Sequence, residues 1–149
     1  VVDASVIVKW VFADSDREEN IPESLSLLAA IRVGVASPLQ PPHWIAEVAA
    51  VITRKKPEKA SPALELLDAL ELPVLANVTV YQRAAQLAAD LGHHLFDTLY
   101  HAVALESGSI LVTADDTYFR KAGKLGGIMK LAMWPEEVFA DPRRLVPKA

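Results

Sequence analysis

The stretch from Leu95 to Asp116 limits the fold more than any other part of the chain. A strongly apolar helical run, Leu95 to Ser107, stops at Gly108 and passes at once into Ser109-Ile110-Leu111-Val112-Thr113, the clearest strand in the sequence. That strand leads straight into Asp115-Asp116. A switch from helical periodicity to a short apolar run across one glycine marks an α/β unit, in which a buried strand is covered by helices.

The rest of the chain repeats the alternation without internal repeats or low-complexity segments. Val1-Val2 reads as the end of a first strand running into Asp3-Ala4-Ser5, after which Val6, Ile7, Trp10 and Val11 recur at helix spacing. Asp14 to Asn20 is a polar loop. Pro22 opens a second helix, and Val33 to Pro38 is expected as a short strand closed by proline. Pro41-Pro42 starts a helix with Trp44, Ile45, Val48, Val51 and Ile52 on its apolar face, ending at Arg54-Lys55-Lys56-Pro57. Ser61-Pro62 starts another, broken at Pro73, and Val74-Leu75 is a minor strand. Thr79 to Leu91 is a helix stopped by Gly92. A last helix ends around Gly123, Leu131 to Trp134 is expected as an edge strand, and the tail from Asp141 is loosely specified. With no linker in view, the expectation is one α/β domain over residues 1–149 with a mainly parallel central sheet flanked by helices.

At 149 residues such a domain buries about 68–70% of the surface of its unfolded chain, so it needs neither disulfides nor structural zinc. The absence of cysteine removes thiol catalysis, iron–sulfur ligation and Cys-rich zinc sites. No apolar run reaches the roughly 18–20 residues of a membrane-spanning helix, and the first residues lack a secretory layout, so a cytoplasmic protein is expected. The chain does not begin with Met, and a few residues are expected ahead of Val1. Its formal charge of −4 argues against holding nucleic acid by bulk positive charge.

Ligands of open parallel sheets sit beyond the carboxyl ends of the strands, where Asp3 and Asp115 both fall. Each also reads as the N-cap of the helix that follows. Glu47 and Asp97 are carboxylates within largely apolar helical stretches, with no Lys or Arg within a turn of either. A solvated helix end is the bland account, strongest for Asp97 in a first turn. If both helices aim their acids at the same end of the sheet, four carboxylates cluster. Two like charges about 4 Å apart repel by around 4 kcal/mol at an effective dielectric near 20, so the cluster calls for counter-charge. Carboxylates and hydroxyls without His or Cys select Mg2+ or Mn2+, and clustered acids around such ions serve phosphoryl chemistry.

Four segments in order, Val1-Val2-Asp3-Ala4-Ser5, Pro42-His43-Trp44-Ile45-Ala46-Glu47-Val48-Ala49, Phe96-Asp97-Thr98-Leu99-Tyr100-His101-Ala102-Val103-Ala104 and Leu111-Val112-Thr113-Ala114-Asp115, resemble the motifs of PIN domains in the branch formed by VapC-type toxins. The resemblance implies a PIN-like three-layer sandwich and a Mg2+- or Mn2+-dependent endoribonuclease cutting single-stranded RNA, often tRNA or ribosomal RNA. It also implies the toxin of a toxin–antitoxin pair, held inactive by a VapB-type antitoxin, and a homodimer. Asp3, Glu47, Asp97 and Asp115 would be metal ligands and activators of the attacking water. Ser5 and Thr113 would orient those carboxylates or the phosphate, and Asp116 would be an accessory ligand or a helix cap. The family commonly has Tyr at Phe96 and a small residue at Thr98, departures that remove no ligand.

Two basic groups, Arg54-Lys55-Lys56 with Lys59 and Arg120-Lys121 with Lys124, read first as solvated faces. Arg54, two turns after Glu47, is the better candidate for RNA-backbone contact. His93-His94 is assigned a loop or packing role, because adjacent histidines in an extended segment point apart. His101 is placed either as a hydrogen-bond partner of Asp97 or as a packing residue. Phe12 and the leucines of the Pro22 helix are expected as an exposed patch for a partner helix. Two other functions compete. An aspartate-nucleophile phosphohydrolase of haloacid dehalogenase type wants a second acid where Ser5 stands and leaves Glu47 and Asp97 without roles. A catalytically idle PIN-like binding module would not need all four acids. Setting those four aside leaves 15 acids against 15 bases, so the proposed site accounts for the whole formal charge.

Overall fold

Asp3, Asn77 and Asp115 hold extended backbones and accept a hydrogen bond from an amide two or three residues on, the geometry that starts a helix. They open α1 (Ala4–Val11), α5 (Val78–Leu91) and α7 (Asp116–Ala122). Between them lie α2 (Ile21–Arg32), α3 (Trp44–Lys55), α4 (Ala60–Asp68) and α6 (Leu95–Ser107), so helix boundaries fall close to those the periodicity predicts. Gly92 (φ 56°) and Gly108 (φ 66°) end α5 and α6 in the left-handed region, where a side chain would be strained. This computed structural model describes residues 1–136. The tail from Asp141, and with it the end of the domain expected over 1–149, lies outside the described residues.

The sheet is parallel in every pairing among the described residues. Strand β1 (Leu111–Thr113) pairs with β2 (Ile128–Lys130) in the register Leu111 to Ile128 and Thr113 to Lys130. On its other side β1 takes the chain start: Asp3 N donates to Val112 O at 3.0 Å and Val112 N to Val1 O at 2.8 Å. Gln40 and Val74 form a further parallel bridge, with Gln40 N donating to Pro73 O at 2.8 Å. The fully buried carboxamide of Gln40 joins that bridge to the sheet. Its Oε1 accepts from Val2 N and its Nε2 donates to Val2 O, both at 2.8 Å, in place of a strand backbone. Helices α1 and α6 both pack on β1, α1 lies against α2 and α3, and α5 packs on α6. Val6, Ile7, Val48, Ile52, Val80, Tyr100 and Val103 fill the core between them. The architecture is an α/β fold with parallel pairing, consistent with the PIN-like sandwich.

Three expectations need correction. Val33 to Pro38 forms no strand, because the amides of Val33, Val35 and Ala36 turn back to carbonyls of Ala29 and Ala30 and close the end of α2. Leu131 to Met133 is a 3-10 turn, and the edge strand lies just before it at Ile128–Lys130. Gly126 and Gly127, at φ 74° and 64°, swing the chain alongside β1 earlier than the apolar run implied. Phe12 is not part of an exposed patch: it is buried, with the ammonium groups of Lys55 and Lys59 over its ring at 5.6 and 5.7 Å. The apolar groove of this region, about 600 Å³, runs instead between Trp10, Leu28, Leu66 and Leu70.

Candidate metal centre

The parallel pairing brings Asp3 and Asp115 to the same end of the sheet, one at the close of the first segment and the other just past β1. Two hydroxyls lock Asp3 in place. Ser5 Oγ donates to Asp3 Oδ2 in a short hydrogen bond and accepts from Ala114 N at 3.0 Å. Thr113 Oγ1 donates to the same Oδ2 at 3.2 Å and accepts from Asp115 N at 3.0 Å. Asp115 Oδ1 in turn caps α7 by accepting from Tyr118 N at 2.9 Å. The cap reading and the site reading of these acids therefore hold together, through different oxygens.

Glu47 and Asp97 reach the same pocket from the first turns of α3 and α6. Glu47 Oε2 accepts from the buried Tyr100 hydroxyl at 2.8 Å, with His43 Nε2 3.1 Å away. Asp97 Oδ2 lies 2.8 Å from His93 Nε2. Each of the four carboxylates is thus anchored through one oxygen. Asp3 Oδ1, Glu47 Oε1, Asp97 Oδ1 and Asp115 Oδ2 take no hydrogen bond among the described residues. All four residues line one cavity of about 350 Å³, which Lys9, Arg54 and Lys55 also line.

The electrostatics follow from crowding. Burial, aided by the charges of Glu47 and Asp97 and opposed by Ser5 and Thr113, raises the Asp3 pKa to about 6. Burial also raises that of Asp97, with Glu47 and Asp115 adding to the shift and His93 opposing it. Burial foremost, then Glu47, pushes the Tyr100 phenol far up, so it stays protonated as the donor to Glu47. Four acids with too few cations among them form a site that gains from a hard divalent ion. One oxygen or nitrogen from each of His93, Asp97 and Asp115 can be chosen so that all lie within 4.8 Å of one another, a spacing one ion can span.

Not every candidate is at this pocket. Asp116 is exposed, is the first residue of α7, and pairs with Lys130 at 2.9 Å; the cap of α7 is Asp115. His101 takes the packing role and does not reach Asp97. It is fully buried, its Nε2 donating to Gly126 O at 2.7 Å and its Nδ1 accepting from Tyr118 OH at 2.9 Å. Arg54 does line the cavity, as its two-turn offset from Glu47 predicts. The sequence reading missed His93, Lys9 and Glu18. The expected divergence of His93 and His94 is not seen: their ring centroids lie 6.2 Å apart, and the His93 side chain, 9% exposed, sits beside Asp97. Its spacing of four from Asp97 was the available signal. Lys9 is nearly buried and pairs with Glu18 at 3.0 Å, and Lys55 meets the same carboxylate at 3.5 Å.

A family model described as PIN domain matches residues 1–125 of the chain. No curated protein matches it.

Proposed function

We propose, because the chain belongs to the PIN domain family, whose members are generally metal-dependent nucleases, that it is an endoribonuclease hydrolysing phosphodiester bonds of single-stranded RNA. The observation that carries this reading is the set of four carboxylates, each tethered by one oxygen and presenting the other to a common cavity. Asp3, Glu47, Asp97 and Asp115 would hold Mg2+ or Mn2+, and oxygen donors of this kind fit either ion. When bound, the metal supplies a lowered pKa for the attacking water and positive charge for the leaving oxygen.

The chain's own groups do the rest. Ser5 and Thr113 hold Asp3 on a rigid frame of backbone amides, which keeps its free oxygen aimed. Tyr100 does the same for Glu47. Arg54, exposed and lining the cavity together with Lys9 and Lys55, would contact the RNA backbone. In the full reading the protein is a VapC-type toxin, a cytoplasmic homodimer neutralised by a VapB-type antitoxin, with tRNA or ribosomal RNA as target.

The test is cleavage of a single-stranded RNA in Mg2+ or Mn2+. Asp3→Asn and Asp97→Asn should each abolish cut products while far-UV circular dichroism stays unchanged, and excess chelator should silence the wild type. Undiminished cleavage in either variant, or full activity in chelator, sinks the mechanism. Covalent phosphate trapped on Asp3 would point to the phosphohydrolase instead. Growth arrest on induction, relieved by a co-purifying partner, tests the toxin role separately.

A further inference from the structure

His93 occupies a built position. Gly92 in the left-handed region turns the chain out of α5, and His93 N donates back to Ala88 O at 3.1 Å, which sets the ring against Tyr118 with centroids 4.9 Å apart. From α7, Lys121 Nζ donates to Gly92 O at 3.1 Å and lies 3.3 Å from His93 Nδ1. An ammonium has donors only, so Nδ1 must be the acceptor in that contact. The proton of the neutral ring is then on Nε2, which points at Asp97 Oδ2 at 2.8 Å. A protonated Nε2 has no lone pair for a cation.

We infer that His93 is a positioning residue: it donates from Nε2 to Asp97 Oδ2, in a tautomer fixed by Lys121, and so aims Asp97 Oδ1 at the cation without ligating it. The inference rests on the proposed metal-dependent reading of this pocket. It assigns the compact His93, Asp97 and Asp115 group a different role from the three-ligand site its spacing allows. Lys121, which charge patterning placed on a solvated face, becomes the residue that sets the ring. The same contact between His93 and Lys121 ties the α5–α6 turn to α7, the helix that Asp115 caps.

Three measurements test it, none of them activity. In the metal-free protein at mildly alkaline pH, long-range proton–nitrogen NMR correlations of the His93 ring should show the Nε2-protonated tautomer, and Lys121→Met should let the other tautomer appear. A ring protonated at Nδ1 in the wild type overturns the inference and leaves the nuclease reading standing. In the Mn2+-loaded protein, His93→Leu should weaken Mn2+ binding by calorimetry about 10-fold or more, the usual cost of losing a group that orients a ligand. His93→Gln, whose amide can donate from nearly the same place, should restore most of that loss. Electron spin-echo spectra of the Mn2+ complex should show no directly bound nitrogen. A bound nitrogen signal, or wild-type affinity in His93→Leu, overturns the inference alone. Absence of Mn2+ binding by the wild type overturns it together with the proposed function.

Discussion

Asp3 carries the cost of the pocket in the metal-free protein. Its pKa rises from an ordinary 3.8 to about 6 because burial and neighbouring acids disfavour the charged form. The native state therefore holds a proton that the unfolded chain releases, and metal-free stability falls as pH climbs from about 4 through about 6. At about 1.4 kcal/mol per pKa unit the penalty at neutral pH is of order 1–3 kcal/mol. Urea melts in chelator should show Asp3→Asn more stable than wild type at neutral pH, with the gap closing toward pH 4; an unchanged gap would remove the charged-pocket account. The acids themselves were legible because Glu47 and Asp97 interrupt apolar helical stretches, where a charge needs a reason. His93 was legible only in its spacing of four from Asp97, because the direction of its ring depends on the left-handed turn at Gly92.

At the scale of elements, capped and glycine-stopped helices were readable and short strands were not. Helix α6 begins and ends where Leu95, Ser107 and Gly108 predict, since a three-turn apolar pattern with a terminator leaves little latitude. Val33 to Pro38 has the composition of a strand, yet its amides are taken by the end of α2, a competition composition cannot reveal. The place beside Val2 is filled by a single side chain, Gln40, which no strand pattern announces. Gln40→Leu leaves a buried amide and carbonyl of Val2 without partners, and at about 1–3 kcal/mol for each such group it should lower stability by about 2 kcal/mol or more. A denaturation midpoint within error of wild type would show that water replaces the carboxamide. Gly92→Ala should cost about 1 kcal/mol from backbone strain alone, because open space surrounds the position and no side-chain clash adds to it.

For the whole molecule, charge and chain order matter most. The four pocket acids equal the formal −4, so one bound divalent ion halves that charge at the pocket, a larger change than any single surface lysine makes. Binding of an uncleavable 2′-O-methyl oligonucleotide, followed by fluorescence anisotropy, should strengthen about tenfold on adding Mn2+; equal affinity in chelator would separate RNA binding from the pocket. Mn2+ at about a hundred times its Kd should stabilise the fold by about 2.7 kcal/mol, an effect missing in Asp97→Asn. No helix among the described residues is long and apolar enough to cross a membrane. The hydroxyl bonds that fix Asp3 span nearly the whole described chain: Thr113 reaches it across 110 positions, and Ser5 meets Ala114 across 109. A ribosome releases Asp3 and Ser5 long before Thr113 and Ala114, which complete the frame around them. During synthesis the emerging chain therefore carries no assembled pocket, which forms only when translation has passed β1 and Val1 to Asp3 have docked against it.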